Sequence, residues 1–210
     1  MKRLQRFCEE RSLPLTSEAL ERFIAYRDLL LRFNEAMNLI GPLSADEVEV
    51  ELLLDSLVPA AARQPRGPIL DVGTGAGLPG IPLKLLYPDL PITLVEPRQK
   101  RSTFLKICAH RLELQDTTIT RARIEDLPPE PFDFVISKAF QPPLNWLHTA
   151  SAWIADDGAV LVMARQADQP ALLEKASTLD LHLLATASPD TSSTPDTRTT
   201  FAFTPAPRGR

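Results

Sequence analysis

The chain has 210 residues, of which 44% are hydrophobic and 24% are charged. A chain of this length and composition can bury a sizeable core, which excludes wholesale disorder. Its formal net charge is −4. Dedicated nucleic-acid binders are usually basic overall, so any contact with nucleic acid would have to use local basic patches.

The two cysteines, Cys8 and Cys108, lie far apart and have no His or Cys neighbours at metal-ligand spacing. This predicts neither a disulfide framework nor a metal site. The charged N-terminus lacks the apolar core of a signal peptide, and no apolar run reaches the roughly 18 residues of a membrane span. We therefore expect a cytoplasmic protein that contacts no membrane.

Residues 1–64 are predicted to form a helical extension, because apolar residues such as Leu20 and Phe23 recur near helical spacing. The segment 44–47 (SADE) resembles a capping box. It leads into a buried helix that is predicted to end before Pro65.

From residue 65 to residue 204, short β-rich runs alternate with helical runs, which implies parallel βαβ units. The predicted strands are 68–72, 91–96, 117–121, 132–137, 158–164, 180–188 and 198–204. The predicted helices between them are 79–87, 98–113, 141–155 and 169–178. The turn at 189–196 is too short for a crossover helix, so the last two strands should pair antiparallel. We expect an α/β fold with a mostly parallel seven-stranded sheet, and a frayed tail at 205–210.

A glycine-rich loop follows the first predicted strand, within the run 69–80 (ILDVGTGAGLPG). Gly73, Gly75 and Gly77 stand at alternate positions, where they allow positive φ angles and a close approach of the backbone to a ligand. Asp71 completes the pattern acidic-x-G-x-G-x-G, which is typical of methyltransferases that bind S-adenosylmethionine, a cofactor with a cationic amino-acid end. The run also satisfies the G-x-G-x-x-G fingerprint of dinucleotide binding, so NAD stays an alternative.

Other candidate residues are predicted at the carboxyl ends of neighbouring strands, where open α/β sheets bind ligands. Glu96 ends the second strand, and a carboxylate there can accept both ribose hydroxyls of an adenosine. Ile124 and Glu125 follow the third strand, where the adenine would lie. Lys138 ends the fourth strand and is the candidate catalytic residue. Its ammonium can hold the methionine carboxylate or an RNA phosphate, although a lysine at a strand end can equally be a surface residue.

With these residues assembled, the chain resembles the RsmG (GidB) family of bacterial 16S ribosomal RNA guanine-N7 methyltransferases. The segment 71–83 is similar to the family's glycine loop almost residue for residue, and 100–105 (KRSTFL) matches its K-R-x-x-F-L segment. Further similar segments are 34–39, 55–56, 123–125, 132–133 and 135–140. The resemblance covers most of the chain up to about residue 165.

The resemblance implies a class I S-adenosylmethionine-dependent methyltransferase with an N-terminal helical extension. It implies methyl transfer to N7 of a guanine, conventionally G527, in the 530 loop of 16S rRNA, in the context of the small ribosomal subunit or its precursor. The family's cofactor positions fall on Gly73, Leu78, Ile124, Glu125 and Lys138. Lysine at 138 replaces an arginine that is common in the family, which keeps the charge but loses bidentate geometry.

Two further departures from the family concern basic residues. The chain reads 51–56 as ELLLDS where the family often has R-H before D-S, and 164–165 as Ala-Arg in place of K-G. These changes bear on the RNA-binding surface more than on the cofactor pocket. Two alternatives therefore stay open. One is a divergent methyltransferase of the same fold that acts on another RNA, a protein or a small metabolite, and the other is an NAD(P)-binding oxidoreductase.

Overall fold

The seven strands of the computed structural model are β1 (Ile69–Val72), β2 (Ile92–Val95), β3 (Thr117–Thr120), β4 (Phe132–Ser137), β5 (Ile154–Arg165), β6 (Leu181–Ala187) and β7 (Arg198–Pro205). They form one sheet in the order β3-β2-β1-β4-β5-β7-β6. The pairs from β3 to β5 are parallel, and β7 runs antiparallel to both of its neighbours. The structure describes residues 1–189 and 194–206.

The N-terminal part is helical, as predicted. Its segments are α1 (Lys2–Glu10), α2 (Ser17–Met37), α3 (Ala45–Glu47), a π-helical segment (Val48–Leu54), a 3-10 turn (Asp55–Leu57) and α4 (Val58–Ala62). The helices between the strands are α5 (Gly80–Leu86), α6 (Gln99–Arg111), α7 (Pro143–Ala150) and α8 (Gln169–Ser177). The capping box is confirmed, because the Ser44 hydroxyl accepts from the Glu47 N–H and the Glu47 carboxylate accepts from the Ser44 N–H.

The predicted strands are confirmed within one residue at each end, except for the fifth. That strand begins at Ile154 rather than 158, so the predicted helix 141–155 is too long at its end. Ile154 pairs with Phe132, and the register shifts before Phe134 pairs with Ala159. At Gly158 a Cβ would lie only 2.6 Å from the Phe132 carbonyl. The strand can therefore continue through this irregularity because glycine stands there.

The chain end is more ordered than predicted where the structure describes it. Pro205 is the last residue of β7, and the Ala206 N–H donates to the Asp180 carbonyl at 2.9 Å. The rest of the predicted tail, 207–210, lies outside the described residues, as does 190–193 of the predicted turn. Cys8 and Cys108 are both buried and free. Among the described residues, no helix is long and apolar enough to cross a membrane.

Successive side chains of a strand point to opposite sides of the sheet, and in this sheet both sides are buried. One face packs against the extension and α6, in a core that includes Leu4, Phe23, Leu57, Ile69, Phe104 and Phe134. The other face packs against α7 and α8, in a core that includes Leu70, Val135, Trp146, Leu172 and Phe201. The strand order reverses between β1 and β4. The carboxyl ends of these two strands therefore flank the crevice where open α/β sheets bind ligands.

Candidate active site

The glycine loop connects β1 to α5 at this crevice. Gly73, Gly75 and Gly77 have φ angles of +66°, +62° and +98°, which confirms the predicted left-handed backbone. A Cβ on Gly77 would collide with the Ile81 side chain, so this glycine lets the loop pack onto α5. A Cβ on Gly75 would have the Arg101 guanidinium, at 3.5 Å, as its nearest neighbour. Gly75 is thus required by its dihedral angle rather than by close packing.

Asp71 ties the two ends of this loop together. It is fully buried, and its Oδ2 accepts hydrogen bonds from the Thr74 hydroxyl and from the Gly80 N–H at 2.7 Å. Its Oδ1 has no hydrogen-bond partner among the described residues. Burial raises the pKa of Asp71 to about 7, although the bonds from Thr74 and Gly80 lower it. The structure therefore gives Asp71 a role in holding the loop, with one buried oxygen still unpaired.

Glu96 is predicted as the last residue of the second strand; it lies directly after β2, at the same edge of the sheet, and its side chain turns onto the loop. It is 2% exposed. One carboxylate oxygen accepts from the Gly75 N–H at 3.0 Å and the other from the Arg98 N–H at 2.8 Å. Arg101 Nη1 lies 3.9 Å from the first oxygen. The structure thus brings the second predicted carboxylate into contact with the glycine loop.

Lys138 lies at the end of β4, as predicted, but its ammonium points toward the helical extension. Nζ forms an ion pair with Asp55 Oδ2 at 2.6 Å and donates to the Glu51 carbonyl at 3.3 Å. Arg198, at the start of β7, approaches the same Asp55 oxygen at 3.1 Å. The Asp55 side chain is 7% exposed. A buried carboxylate thus holds two cations at the edge of the crevice.

An aromatic ring covers the first glycine of the loop. Phe140 is partly buried, and a Cβ on Gly73 would lie 2.7 Å from this ring. The ring also meets Trp146 edge to face, with 6.2 Å between the ring centroids. Nearby, the buried Ser137 hydroxyl has no hydrogen-bond partner among the described residues. Phe140 and Ser137 therefore belong to the crevice as well.

The remaining predicted residues differ in exposure. Leu78 is buried in the loop at 9% exposure. Ile124 begins a 3-10 turn (Ile124–Asp126) after β3 and is buried in the same core as Val72 and Val95. Glu125, next to it, is exposed to solvent. Ile124 thus belongs to the core formed by the strands beside the loop, whereas Glu125 lies at the surface.

Sequence reasoning did not assign roles to several residues of this site. Thr74 closes the loop onto Asp71, and Tyr26 of α2 donates to the Ala76 carbonyl. Asp55 carried a signal only as part of the similar segment 55–56, and Arg198 carried none. Their roles depend on how the extension and β7 pack against the sheet.

Comparison with known proteins shows which family this chain belongs to. The family GidB, described as rRNA small subunit methyltransferase G, matches residues 19–192. The chain belongs to the GidB family. Its relatives include the ribosomal RNA small subunit methyltransferase G of Methylobacillus flagellatus, 36% identical over 76% of this chain and 78% of the relative. Another is the protein of that name from Salmonella paratyphi B, 38% identical over 70% of this chain and 73% of the relative.

Solved structures similar to this GidB chain share its fold. One is a ribosomal protein L11 methylase from Lactobacillus delbrueckii, with a TM-score of 0.56 at 14% identity over 73% of this chain and 77% of that one. Another is M. jannaschii TYW2 in complex with AdoMet, with a TM-score of 0.54 at 15% identity over 66% and 68% of the two chains. The fold is that of the class I S-adenosylmethionine-dependent methyltransferases, as expected.

GidB proteins are methyltransferases that use S-adenosylmethionine, which decides between this cofactor and NAD(P). The described residues fit it. Gly75 presents a loop surface without a side chain, next to the Glu96 carboxylate. The unpaired Oδ1 of Asp71 adds negative character beneath the loop. This donor set suits an adenosine that carries a cationic amino-acid end.

Proposed function

We propose that this chain transfers the methyl group of S-adenosylmethionine to N7 of a guanine in the 530 loop of 16S rRNA, conventionally G527. The proposed substrate is the small ribosomal subunit or its precursor, and the proposed location is the cytoplasm. The observation that carries the proposal is the GidB match over residues 19–192. The glycine loop of this match lies at the crevice between β1 and β4, where cofactors bind in open α/β sheets.

In this proposal the cofactor lies along the glycine loop. The backbone of Gly73, Gly75 and Gly77, together with Leu78, faces its methionine end, and Asp71 supplies negative charge beneath it. Glu96 accepts hydrogen bonds from the ribose hydroxyls. To do so, its carboxylate gives up the hydrogen bond from the Gly75 N–H, which it accepts at 3.0 Å in this structure. Ile124 and Glu125 contact the adenine.

The chemistry requires positioning more than proton transfer. S-adenosylmethionine supplies an electrophilic methyl group on a sulfonium. Guanine N7 has an in-plane lone pair and loses no proton on methylation, so the protein needs no general base. The residues of the crevice would instead hold the base in line and exclude water. Phe140, which covers Gly73 and is partly exposed, is the aromatic ring best placed to stack on the base.

Lys138 is the residue that we assign to the transfer step. Its ammonium lies 2.6 Å from a buried Asp55 oxygen that it shares with Arg198. A carboxylate between two cations fixes their positions, so that an anionic group entering the crevice meets a preorganised pair. An RNA phosphate or the methionine carboxylate of the cofactor is the anion that fits this pair.

The RNA would be bound by local basic patches, since the chain is acidic overall. Helix α6 exposes the basic residues Lys100, Lys106 and Arg111, and Arg98 is exposed directly before it. The segment after β3 exposes Arg121 and Arg123. Helix α6 begins three residues after Glu96. The first of these cations therefore lie beside the proposed cofactor site, where they can contact phosphates. Binding through them should weaken steeply with salt.

The proposal is tested by methyl transfer from labelled S-adenosylmethionine to naked 16S rRNA, to small ribosomal subunits and to a protein extract. Mass mapping of the modified nucleosides then locates the product. We expect one N7-methylguanine in the 530 loop, and much less product from the variant Gly75→Ala at limiting S-adenosylmethionine. Label in another RNA, in protein or in small molecules would instead support a divergent methyltransferase of the same fold.

A further inference from the structure

The N-terminal extension places one hydroxyl directly under the glycine loop. Tyr26, on α2, is fully buried, and its hydroxyl donates a 2.8 Å hydrogen bond to the Ala76 carbonyl. The two residues are 50 positions apart in the chain. Ala76 itself stands between Gly75 and Gly77, the two left-handed glycines at the centre of the loop.

This bond fixes more than one oxygen atom. A peptide unit is planar, so holding the Ala76 carbonyl also holds the Gly77 N–H of the same unit. The Gly77 N–H donates to the Thr74 carbonyl at 2.9 Å, and the Leu78 N–H donates to the same oxygen. Glu96 holds the Gly75 N–H on the other side of the same turn. Tyr26 is therefore the contact through which the extension fixes the orientation of the central peptide of the loop.

A phenylalanine at position 26 would supply nearly the same packing, because it lacks only the hydroxyl. The Tyr26 ring is buried in the core that the extension shares with the sheet, next to residues such as Phe23 and Leu30. A buried hydroxyl costs free energy unless it forms a hydrogen bond, and here the bond goes to the loop. The polar atom of this residue is thus directed at the cofactor loop alone.

We propose that Tyr26 is a positioning residue of the cofactor site, which makes the helical extension part of the S-adenosylmethionine binding machinery. Without the hydroxyl, the Ala76–Gly77 peptide can rotate, and the loop spends less time in the shape that binds the cofactor. The apparent affinity falls in proportion to the competent fraction. This inference rests on the cofactor assigned above.

The test compares two phenylalanine variants that each remove one buried hydroxyl. Tyr26→Phe removes the bond to Ala76, whereas Tyr87→Phe is the matched control, because the Tyr87 hydroxyl is buried without a hydrogen-bond partner among the described residues. Titration calorimetry with S-adenosylmethionine and with S-adenosylhomocysteine should show a Kd about five- to tenfold higher for Tyr26→Phe, as expected for one lost hydrogen bond. KM for the cofactor should rise by the same factor, with a smaller change in kcat.

Amide exchange provides a second readout that needs no cofactor. The Gly77 and Leu78 amides should exchange faster in Tyr26→Phe and at the wild-type rate in Tyr87→Phe. Equal Kd values for the two variants, or equal protection of these amides, would overturn the inference while leaving the cofactor assignment intact. Failure of the wild-type protein to bind S-adenosylmethionine would overturn the assignment itself.

Discussion

Replacement of Asp71 by asparagine should make the protein more stable at neutral pH, although Asp71 lies at the centre of the site. Asp71 is fully buried, and burial raises its pKa from an ordinary value of 3.8 to about 7. Between pH 3.8 and about pH 7, the folded state therefore has more protons bound at Asp71 than the unfolded state. Since the unfolded state binds fewer protons in this range, the contribution of Asp71 to stability falls as the pH rises from about 4 to 7 and is constant above that.

The size of the effect follows from the shift. Each pKa unit corresponds to about 1.4 kcal/mol, so a rise from 3.8 to about 7 costs about 4 kcal/mol above pH 7. Asparagine carries no charge, and its Oδ1 can still accept from Thr74 and Gly80. The free energy of unfolding of Asp71→Asn, relative to wild type, should therefore increase by about 2 kcal/mol between pH 5 and pH 7.

Urea unfolding of both proteins at pH 5, 6, 7 and 8 measures this difference. Asp133→Asn is the matched control. Burial raises the pKa of Asp133, but hydrogen bonds from Arg63, Arg66 and Gly67 outweigh burial and leave the pKa below its ordinary value. Its loss should therefore destabilise the protein by an amount that does not change between pH 5 and 8. A relative stability of Asp71→Asn that is flat or falls with pH would refute the reasoning.

Substitutions at three further residues have definite expected results. Gly75→Ala places a Cβ at a φ of +62° on the loop, at a cost of about 1–2 kcal/mol, and calorimetry should show at least tenfold weaker binding of S-adenosylmethionine; wild-type affinity would contradict the loop assignment. Lys138→Ala should reduce methyl transfer and also stability, because it takes one cation from the buried Asp55, whereas Lys138→Arg keeps the charge and should retain activity; unchanged turnover of Lys138→Ala on the RNA would show a surface residue. Arg63→Ala removes hydrogen bonds of 3.0 and 2.7 Å to Asp133 and one of 2.9 Å to the Asp157 carbonyl, so denaturant unfolding should show a loss of about 3 kcal/mol, and a loss below about 0.5 kcal/mol would contradict it.

The sequence predicted those parts of the site that local rules determine. Parallel strands end at the same edge of a sheet, so residues that follow the strands, such as Glu96 and Lys138, could be placed there without a structure. The glycines of the loop were predictable for a similar reason, because left-handed backbone in a strand-to-helix turn selects glycine. Each of these inferences needs only a few neighbouring residues.

Contacts between distant segments were not predictable in this way. The ion pair of Lys138 with Asp55 joins residues 83 positions apart. No spacing rule in the sequence places a residue of the N-terminal extension next to the end of a particular strand. The π-helical segment Val48–Leu54, which delivers Asp55, has no residue pattern that separates it from an α-helix. The early start of β5 at Ile154 depends on a register shift near Gly158 that only the partner strand reveals.

These distant contacts change how the predicted boundary at residue 64 should be interpreted. The extension reaches the site at two separate points, through Tyr26 at the glycine loop and through Asp55 at Lys138. Arg63, at its end, is paired with Asp133 of β4. A domain boundary is expected where few contacts cross, yet here the helices before residue 64 share a core with the sheet. One contact holds the proposed cofactor loop and the other holds the proposed transfer residue, so the extension contacts both halves of the crevice.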